Sequence, residues 1–329
     1  MTAAPGAARA QTPALPHLSA RPLRHLLSLS LDQANFHTRG FASAEPSRQL
    51  ALEKIGRTFI GGYNAALAAD NVEHILQHTG SITRTERGYA AEGAAFGAAV
   101  VDALPFRRAL LPACIEAFQS DFRYLAHVGA GWALARVPWR RRSTVATLDP
   151  LLRWLAFDGL GFHDTYFHHG RILAGWRRWR SGYAARAYDQ GVGRALWFVG
   201  GPVTAATGLI STFPAARRSD LWSGLALAMS YAGPCRDDEI VTAFRSAAAY
   251  RADFAQGIAF ACEARALAGH APAHTELVAQ IVWRSDAMTV AKLVREERDH
   301  LPAAESDPPR YQLWRQSVAD AFRRDGVRP

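Results

Sequence analysis

The chain repeats one short pattern of positions: glycine, apolar, small, apolar, small. The six clear copies begin at Gly93, Gly131, Gly159, Gly191, Gly224 and Gly257. These glycines lie 38, 28, 32, 33 and 33 residues apart, a period typical of a helix–turn–helix unit that stacks on its neighbours. The pattern predicts an all-α protein in which tandem helical hairpins of about 33 residues form a solenoid or a closed helical array.

Helices are favoured over strands because glycine and alanine are poor strand formers and the apolar runs around them exceed ten residues. A glycine inside a helix costs up to ~1 kcal/mol relative to alanine, so its recurrence requires a packing reason. Small residues four apart, such as Gly93 and Gly97, would let a second helix approach closely.

Composition divides the chain into three parts. Residues 1–22 are rich in alanine and proline and predict a flexible tail. Residues 23–290 form a single predicted helical-repeat domain. Residues 291–329 turn charged and predict a C-terminal helical extension.

The overall composition is that of a globular protein, with 49% hydrophobic and 20% charged residues. The three cysteines have no CxxC spacing, and the N-terminus lacks the pattern of a signal peptide. The uncharged stretch 195–213 is interrupted by Gly200-Gly201-Pro202, so we expect a buried loop and helix rather than a membrane span. The expected location is the cytoplasm, with membrane association through a partner as an alternative.

Two copies of the pattern carry an unusual residue, His163 in place of a small residue and Arg194 in place of an apolar one. On a helix Asp164 and His168 would share a face, and the carboxylate could orient the imidazole for proton transfer. The alternative is a polar pair hydrogen-bonded to neighbouring helices. Arg194 in a groove would hold a carboxylate, phosphate or carbonyl oxygen; facing outward, it would be merely solvated.

A metal site would need His163 or His168 to be joined by ligands from other helices, with His127 as a candidate, but no HExxH or ExxH motif supports one. The metal and any cofactor therefore stay open. Walker, Rossmann and GxSxG motifs are also absent from the sequence.

Aromatic and acidic residues recur near the glycines. Trp132, Trp197 and Trp222 belong either to the core or to a groove for a long apolar or conjugated ligand, for which Tyr166 and Asp189 are further candidates. The acidic residues just ahead of the predicted helices could cap them, most plainly Asp220, which follows a serine. These residues are Glu92, Asp158, Asp189, Asp220 and Asp253.

The formal charge of +9 includes two basic-aromatic clusters, Trp139-Arg140-Arg141-Arg142 and Trp176-Arg177-Arg178-Trp179-Arg180. They could dock an anionic membrane or an acidic acyl carrier domain, or they could be solvated residues after helix ends. Because no nucleic-acid-binding module accompanies them, nucleic acid is not expected as a partner.

An ordered set of motifs between about residues 39 and 270 resembles the UnbL family of enediyne biosynthesis proteins. These motifs are Arg39-Gly40-Phe41, Arg87-Gly88-Tyr89, His127-Val128-Gly129, Asp149-Pro150-Leu151, Asp158-Gly159, Asp189-Gln190-Gly191 and Asp220-Leu221-Trp222. The resemblance implies a role after an iterative polyketide synthase, whose linear polyene is converted to the enediyne core. It also implies partners from the same gene cassette, including a membrane protein.

Three hypotheses follow. The first is a helical protein that holds the polyene and takes part in its oxidation with cassette partners, using His163, Asp164 and His168 for proton transfer and Arg194 as a polar anchor. The second is a non-catalytic scaffold or substrate-binding protein for a membrane-bound or carrier-protein partner. The third is a freestanding metal-dependent enzyme.

Overall fold

The computed structural model describes residues 26–105, 109–178 and 181–325, and over these ranges its regular structure is entirely helical. The all-α prediction is confirmed, whereas the tail predicted at 1–22 lies outside the described residues. The α-helices are α1 (Phe36–Arg39), α2 (Pro46–Ala68), α3 (Val72–Ser81), α4 (Arg87–Val101), α5 (Leu110–Ala117), α6 (Arg123–Arg136), α7 (Arg141–Ala146), α8 (Leu155–Leu173), α9 (Tyr183–Val199), α10 (Val203–Ser211), α11 (Ala215–Ala232), α12 (Asp237–Ser246), α13 (Arg251–Leu267), α14 (Ala273–Trp283), α15 (Ala287–Asp299) and α16 (Arg310–Asp325). Short 3-10 helices span Leu31–Ala34, Pro138–Arg140, Leu152–Trp154 and Ala248–Tyr250.

Seven long helices pack in chain order, each against the next: α2, α4, α6, α8, α9, α11 and α13. Shorter helices connect most of them and also contact one another, as α3 does with α5 and α12 with α14. The buried aliphatic and aromatic side chains of the long helices form one continuous core.

Glycines make the close approach between long helices possible. A Cβ built on Gly191 in α9 would lie 1.8 Å from the carbonyl oxygen of Asp158 in α8. Contacts of this kind join every consecutive pair of long helices, and the glycines that meet the preceding long helix in this way include Gly93, Gly129, Gly159, Gly191, Gly224 and Gly257. We call this series the glycine ladder. It supplies the packing reason for tolerating glycine inside helices.

The ladder corrects one position of the sequence pattern. In α6 the glycine that meets the preceding helix is Gly129, whose added Cβ would lie 2.0 Å from the carbonyl oxygen of Glu92. Gly131 instead meets the following helix, at Ala156. The prediction for Gly93 and Gly97 is confirmed, because both lie against α2, at Phe59 and Tyr63.

The row of helices is curved, so that α4 meets α11 and α13. The Tyr89 hydroxyl in α4 donates to the carbonyl oxygen of Tyr231 in α11 at 3.0 Å, and the Arg265 guanidinium in α13 donates to the Tyr89 hydroxyl at 2.9 Å. The C-terminal helix α16 packs back on this body, with Arg315 donating to Asp220 at 2.8 Å. Curvature brings residues from most of the long helices around a common interior.

The stretch 195–213 is broken as the sequence predicts, because α9 ends at Val199 and α10 begins at Val203. Among the residues described, no helix combines the length and the apolar character needed to cross a membrane.

Candidate functional site

Two cavities lie inside the curve of the long helices. The first has a volume of about 60 Å³ and is lined mainly by aromatic and aliphatic side chains, including Phe59, Trp132, Phe162 and Tyr166. These four residues come from α2, α6 and α8. A mostly apolar chamber with a few polar groups is the usual form of a small-molecule site.

The second cavity has a volume of about 50 Å³ and lies between α6, α8, α13 and α16. Arg194, Leu227 and Tyr231 line both cavities. We call these three residues the waist. An elongated ligand that fills both cavities would therefore pass a guanidinium and a phenol at its middle.

A buried group of charges surrounds the waist. Arg194 in α9 forms an ion pair with Asp158 in α8 and lies 3.8 Å from the carboxylate of Glu92 in α4. The indole nitrogen of Trp132 in α6 donates to the same Glu92 carboxylate at 3.1 Å. Arg194, Asp158 and Glu92 are exposed by 7%, 1% and 5%. Four helices thus contribute one polar group each to this buried cluster.

The ladder explains why these carboxylates meet. Glu92 and Asp158 each precede a ladder glycine, and the carbonyl oxygen of each receives the glycine of the next helix. Equivalent positions on successive helices face the same side, so both side chains point toward the interior of the curve. The sequence pattern contained this signal, but it also allowed both residues to be helix caps.

Burial raises the pKa of Glu92 to about 7, the Asp158 charge adds to the rise, and Arg194 and the Trp132 hydrogen bond oppose it. Burial likewise raises the pKa of Asp158, against the opposing influence of Arg194. One guanidinium faces two carboxyl groups, and a pKa of about 7 lets Glu92 take up a proton near neutral pH.

Glu92→Gln is expected to make stability less dependent on pH. The pKa of 4.5 for an unfolded glutamate and about 7 in the folded chain differ by roughly 3 kcal/mol. Because the folded pKa is the higher one, this stability is fully present below pH 4.5 and is lost as pH rises through 7. Urea denaturation should show the wild type losing roughly 3 kcal/mol more than Glu92→Gln between pH 5 and 8.

The matched control is Glu73→Gln, which changes an exposed glutamate of α3 and is expected to follow the wild-type curve. Parallel curves for Glu92→Gln and the wild type would contradict the raised pKa.

Of the predicted proton-transfer residues, His163 packs against Trp132, which lines the first cavity. The His163 ring is buried at 5.6 Å from the Trp132 ring, edge to face, and its Nδ1 is 3.4 Å from the Asp164 carboxylate. Burial lowers the pKa of His163, which favours the neutral imidazole. Its Nε2 has no hydrogen-bond partner.

Asp164 is held by other groups. The Arg178 guanidinium donates to it at 2.8 and 3.0 Å, and the Tyr188 hydroxyl donates at 2.9 Å. Burial alone would raise the pKa of Asp164, but the hydrogen bonds from His163 and Arg178 outweigh it and bring the value to about 2. Asp164 is therefore a carboxylate at every physiological pH.

His168 does not continue the face of Asp164. The backbone of α8 leaves helical geometry at His168, with φ −139° and ψ 36°, and the side chain is exposed. The four-residue spacing predicted a shared face, and this kink removes the straight helix on which that prediction depended.

The histidines are not arranged around a common metal position. His127 uses both ring nitrogens, donating from Nδ1 to the Arg123 carbonyl at 2.7 Å and accepting from the Asp149 amide at Nε2. Within the described ranges, no group of three or more His, Cys, Asp or Glu side chains is placed to hold a metal ion.

The remaining predicted binding residues divide into two groups. Trp132, Tyr166 and Arg194 line the first cavity. Trp197 and Trp222 pack in the helix core, Trp197 beneath the Arg48 guanidinium at 3.9 Å and Trp222 beside Phe254.

Asp189 is buried and bound by Arg217 and Arg177. The structure also brings Glu92, Asp158 and Tyr231 into the site, which the sequence-based selection missed.

The two basic-aromatic clusters differ in their surroundings. Arg177 and Arg178 are engaged by Asp189 and Asp164, so they serve the interior rather than a docking surface. Trp139, by contrast, is 71% exposed. Trp179 and Arg180 lie outside the described residues.

Fold and site together define an all-helical protein with paired interior cavities that meet at a buried ion pair. Residues 19–322 match the family described as "Protein of unknown function (DUF1702)", and the chain belongs to this family. No curated protein and no solved structure is similar to the chain at a significant level.

Proposed function

We propose that this protein binds a linear conjugated polyene in its interior and acts in enediyne biosynthesis after an iterative polyketide synthase. The observation that supports the proposal most directly is the first cavity, which is lined by aromatic rings and ends at the Arg194 waist. Flat conjugated chains pack well between aromatic faces, and one polar group at the end fixes orientation. The resemblance of the ordered motifs to the UnbL family supports the pathway.

In this proposal the chain is the polyene-holding partner of the cassette, and its partners supply the oxidant. The proposal assigns the base to the neutral imidazole of His163, which packs against Trp132 of the cavity wall, with Asp164 fixing its orientation. The glycine ladder supports a further proposal, that tandem units of about 33 residues are stacked into the curved row of helices.

Binding can be tested with 1,6-diphenylhexatriene, a neutral conjugated probe whose fluorescence appears only in apolar surroundings. Ala228 lines the first cavity, so Ala228→Leu should fill it and reduce the bound fluorescence at least about fivefold. The control Ala205→Leu makes the same change at an exposed position of α10 and should leave the fluorescence unchanged. Equal fluorescence of the two variants would contradict binding in this cavity.

The reaction is tested by incubating the protein and its cassette partners with the polyene and following absorbance and mass. Wild-type product levels in both His163→Ala and His168→Ala would remove these residues from the proposal.

A second candidate is a scaffold that docks a membrane or carrier-protein partner, and it depends on the exposed Trp139 beside Arg140 and Arg142. A partner that co-purifies with the wild type but not with Trp139→Ala, together with absent probe binding, would favour the scaffold.

A further inference from the structure

The second cavity contains four buried polar atoms without a hydrogen-bond partner in the protein. They are Oδ2 of Asp158, Nε of Arg194 and the hydroxyls of Tyr231 and Tyr311. All four residues line this cavity, and none is more than 7% exposed. An unsatisfied buried polar group is destabilising, so four in one chamber indicate a bound group that satisfies them.

Asp158, Arg194 and Tyr311 lie within electrostatic reach of one another. Burial raises the pKa of Tyr311 well above its ordinary value, and the Asp158 carboxylate adds to the rise. Tyr311 is therefore a neutral hydroxyl that can donate. Its helix, α16, also contributes Trp314 to the same wall, while Leu125 and Phe260 make other walls apolar.

The charges exclude most polar partners. Arg194 already faces Asp158 and Glu92, and Glu263 on the same cavity is paired with Arg295. A carboxylate would add another negative charge beside Asp158, which is costly in a buried site. An ammonium would face the Arg194 guanidinium and could accept nothing from it.

A hydroxyl group fits both sides of the site, because it accepts from Arg194 Nε and donates to Asp158 Oδ2. We propose that the second cavity is a binding site for the hydroxyl end of a neutral, otherwise apolar alcohol, with Tyr311 as the third hydrogen-bond partner. The inference rests on the proposed function in treating the interior as a ligand chamber.

The test titrates the full chain at pH 8 with 1-decanol, decanoate and decylamine in a calorimeter. The wild type should bind 1-decanol at least tenfold more tightly than either charged probe. Tyr311→Phe removes one hydroxyl and keeps the ring, and it should weaken 1-decanol binding about tenfold. Tyr250→Phe makes the same change outside both cavities, where the hydroxyl donates to the Ala215 carbonyl, and should change affinity less than twofold.

Decanoate or decylamine binding as tightly as 1-decanol would overturn the inference. So would unchanged 1-decanol affinity in Tyr311→Phe, which would leave ordered water as the partner of these atoms. Diphenylhexatriene separates the two proposals: if it still binds the first cavity while 1-decanol does not bind, only this inference fails. If the wild type binds neither probe, the proposed function fails as well.

Discussion

Gly191→Ala is expected to lower the free energy of unfolding by at least about 3 kcal/mol, at the upper end of what overpacking costs. The added methyl would lie 1.8 Å from the carbonyl oxygen of Asp158, which is backbone and cannot turn away as a side chain does. Helices α8 and α9 would have to separate, with loss of packing along both. Urea denaturation followed by far-ultraviolet circular dichroism measures the change.

Gly208→Ala is the matched control. It changes a glycine of α10 whose added Cβ meets nothing within 4 Å, so the variant should be unchanged or more stable by up to ~1 kcal/mol. Equal stability of the two variants would mean that α8 and α9 do not approach as closely as the ladder requires.

Arg194→Met is expected to lower the free energy of unfolding by about 3–5 kcal/mol, because it leaves the buried Asp158 carboxylate without its cation. Methionine retains much of the arginine's apolar length, so lost packing contributes little to the change. Thermal and urea denaturation at pH 8 measure the loss.

The double variant Arg194→Met/Asp158→Asn separates charge from packing. Removing the unpaired carboxylate should restore more than half of the lost stability, since replacing a whole buried ion pair is often close to neutral. A double variant as unstable as the single one would show that Arg194 acts through contacts other than Asp158.

The sequence predicted the helices well because their signals are local. Glycine, alanine and apolar residues recur at helical spacing, and the break at Gly200-Gly201-Pro202 ends α9 where proline chemistry requires it. The sequence predicted less well which glycine contacts which neighbouring helix. In α6 the glycine that meets the preceding helix is Gly129 rather than Gly131. The sequence could not distinguish the two glycines, because only the positions of the neighbouring helices do so.

For the acidic residues too, contacts between helices decide what the local sequence does not. Asp220 follows Ser219 and was predicted to cap a helix, but α11 begins earlier, at Ala215, and Asp220 is paired with Arg186 and Arg315. The capping prediction was wrong because the spacing between an aspartate and an apolar run does not reveal where the helix begins. An arginine 95 residues away decides the environment of this carboxylate.

The candidate site shows most clearly which features the sequence predicts and which require the tertiary structure. The break in the pattern at Arg194 correctly drew attention to the residue at the waist. Its partners Asp158 and Glu92 come from two other helices, and Tyr311 comes from the segment predicted as a separate extension. No local pattern joins residues that are distant in the chain.

The sequence by itself determined an all-helical chain, the positions where helices can approach closely, and an arginine in an otherwise apolar register. The tertiary structure alone decided the curvature that encloses two cavities, the pairing of each buried charge, and the orphaned polar atoms around Arg194. The physical reason is the distance along the chain over which each effect acts. Helix propensity depends on residues a few positions apart. Burial, and the pKa values it sets, depends on what other helices bring to the same place.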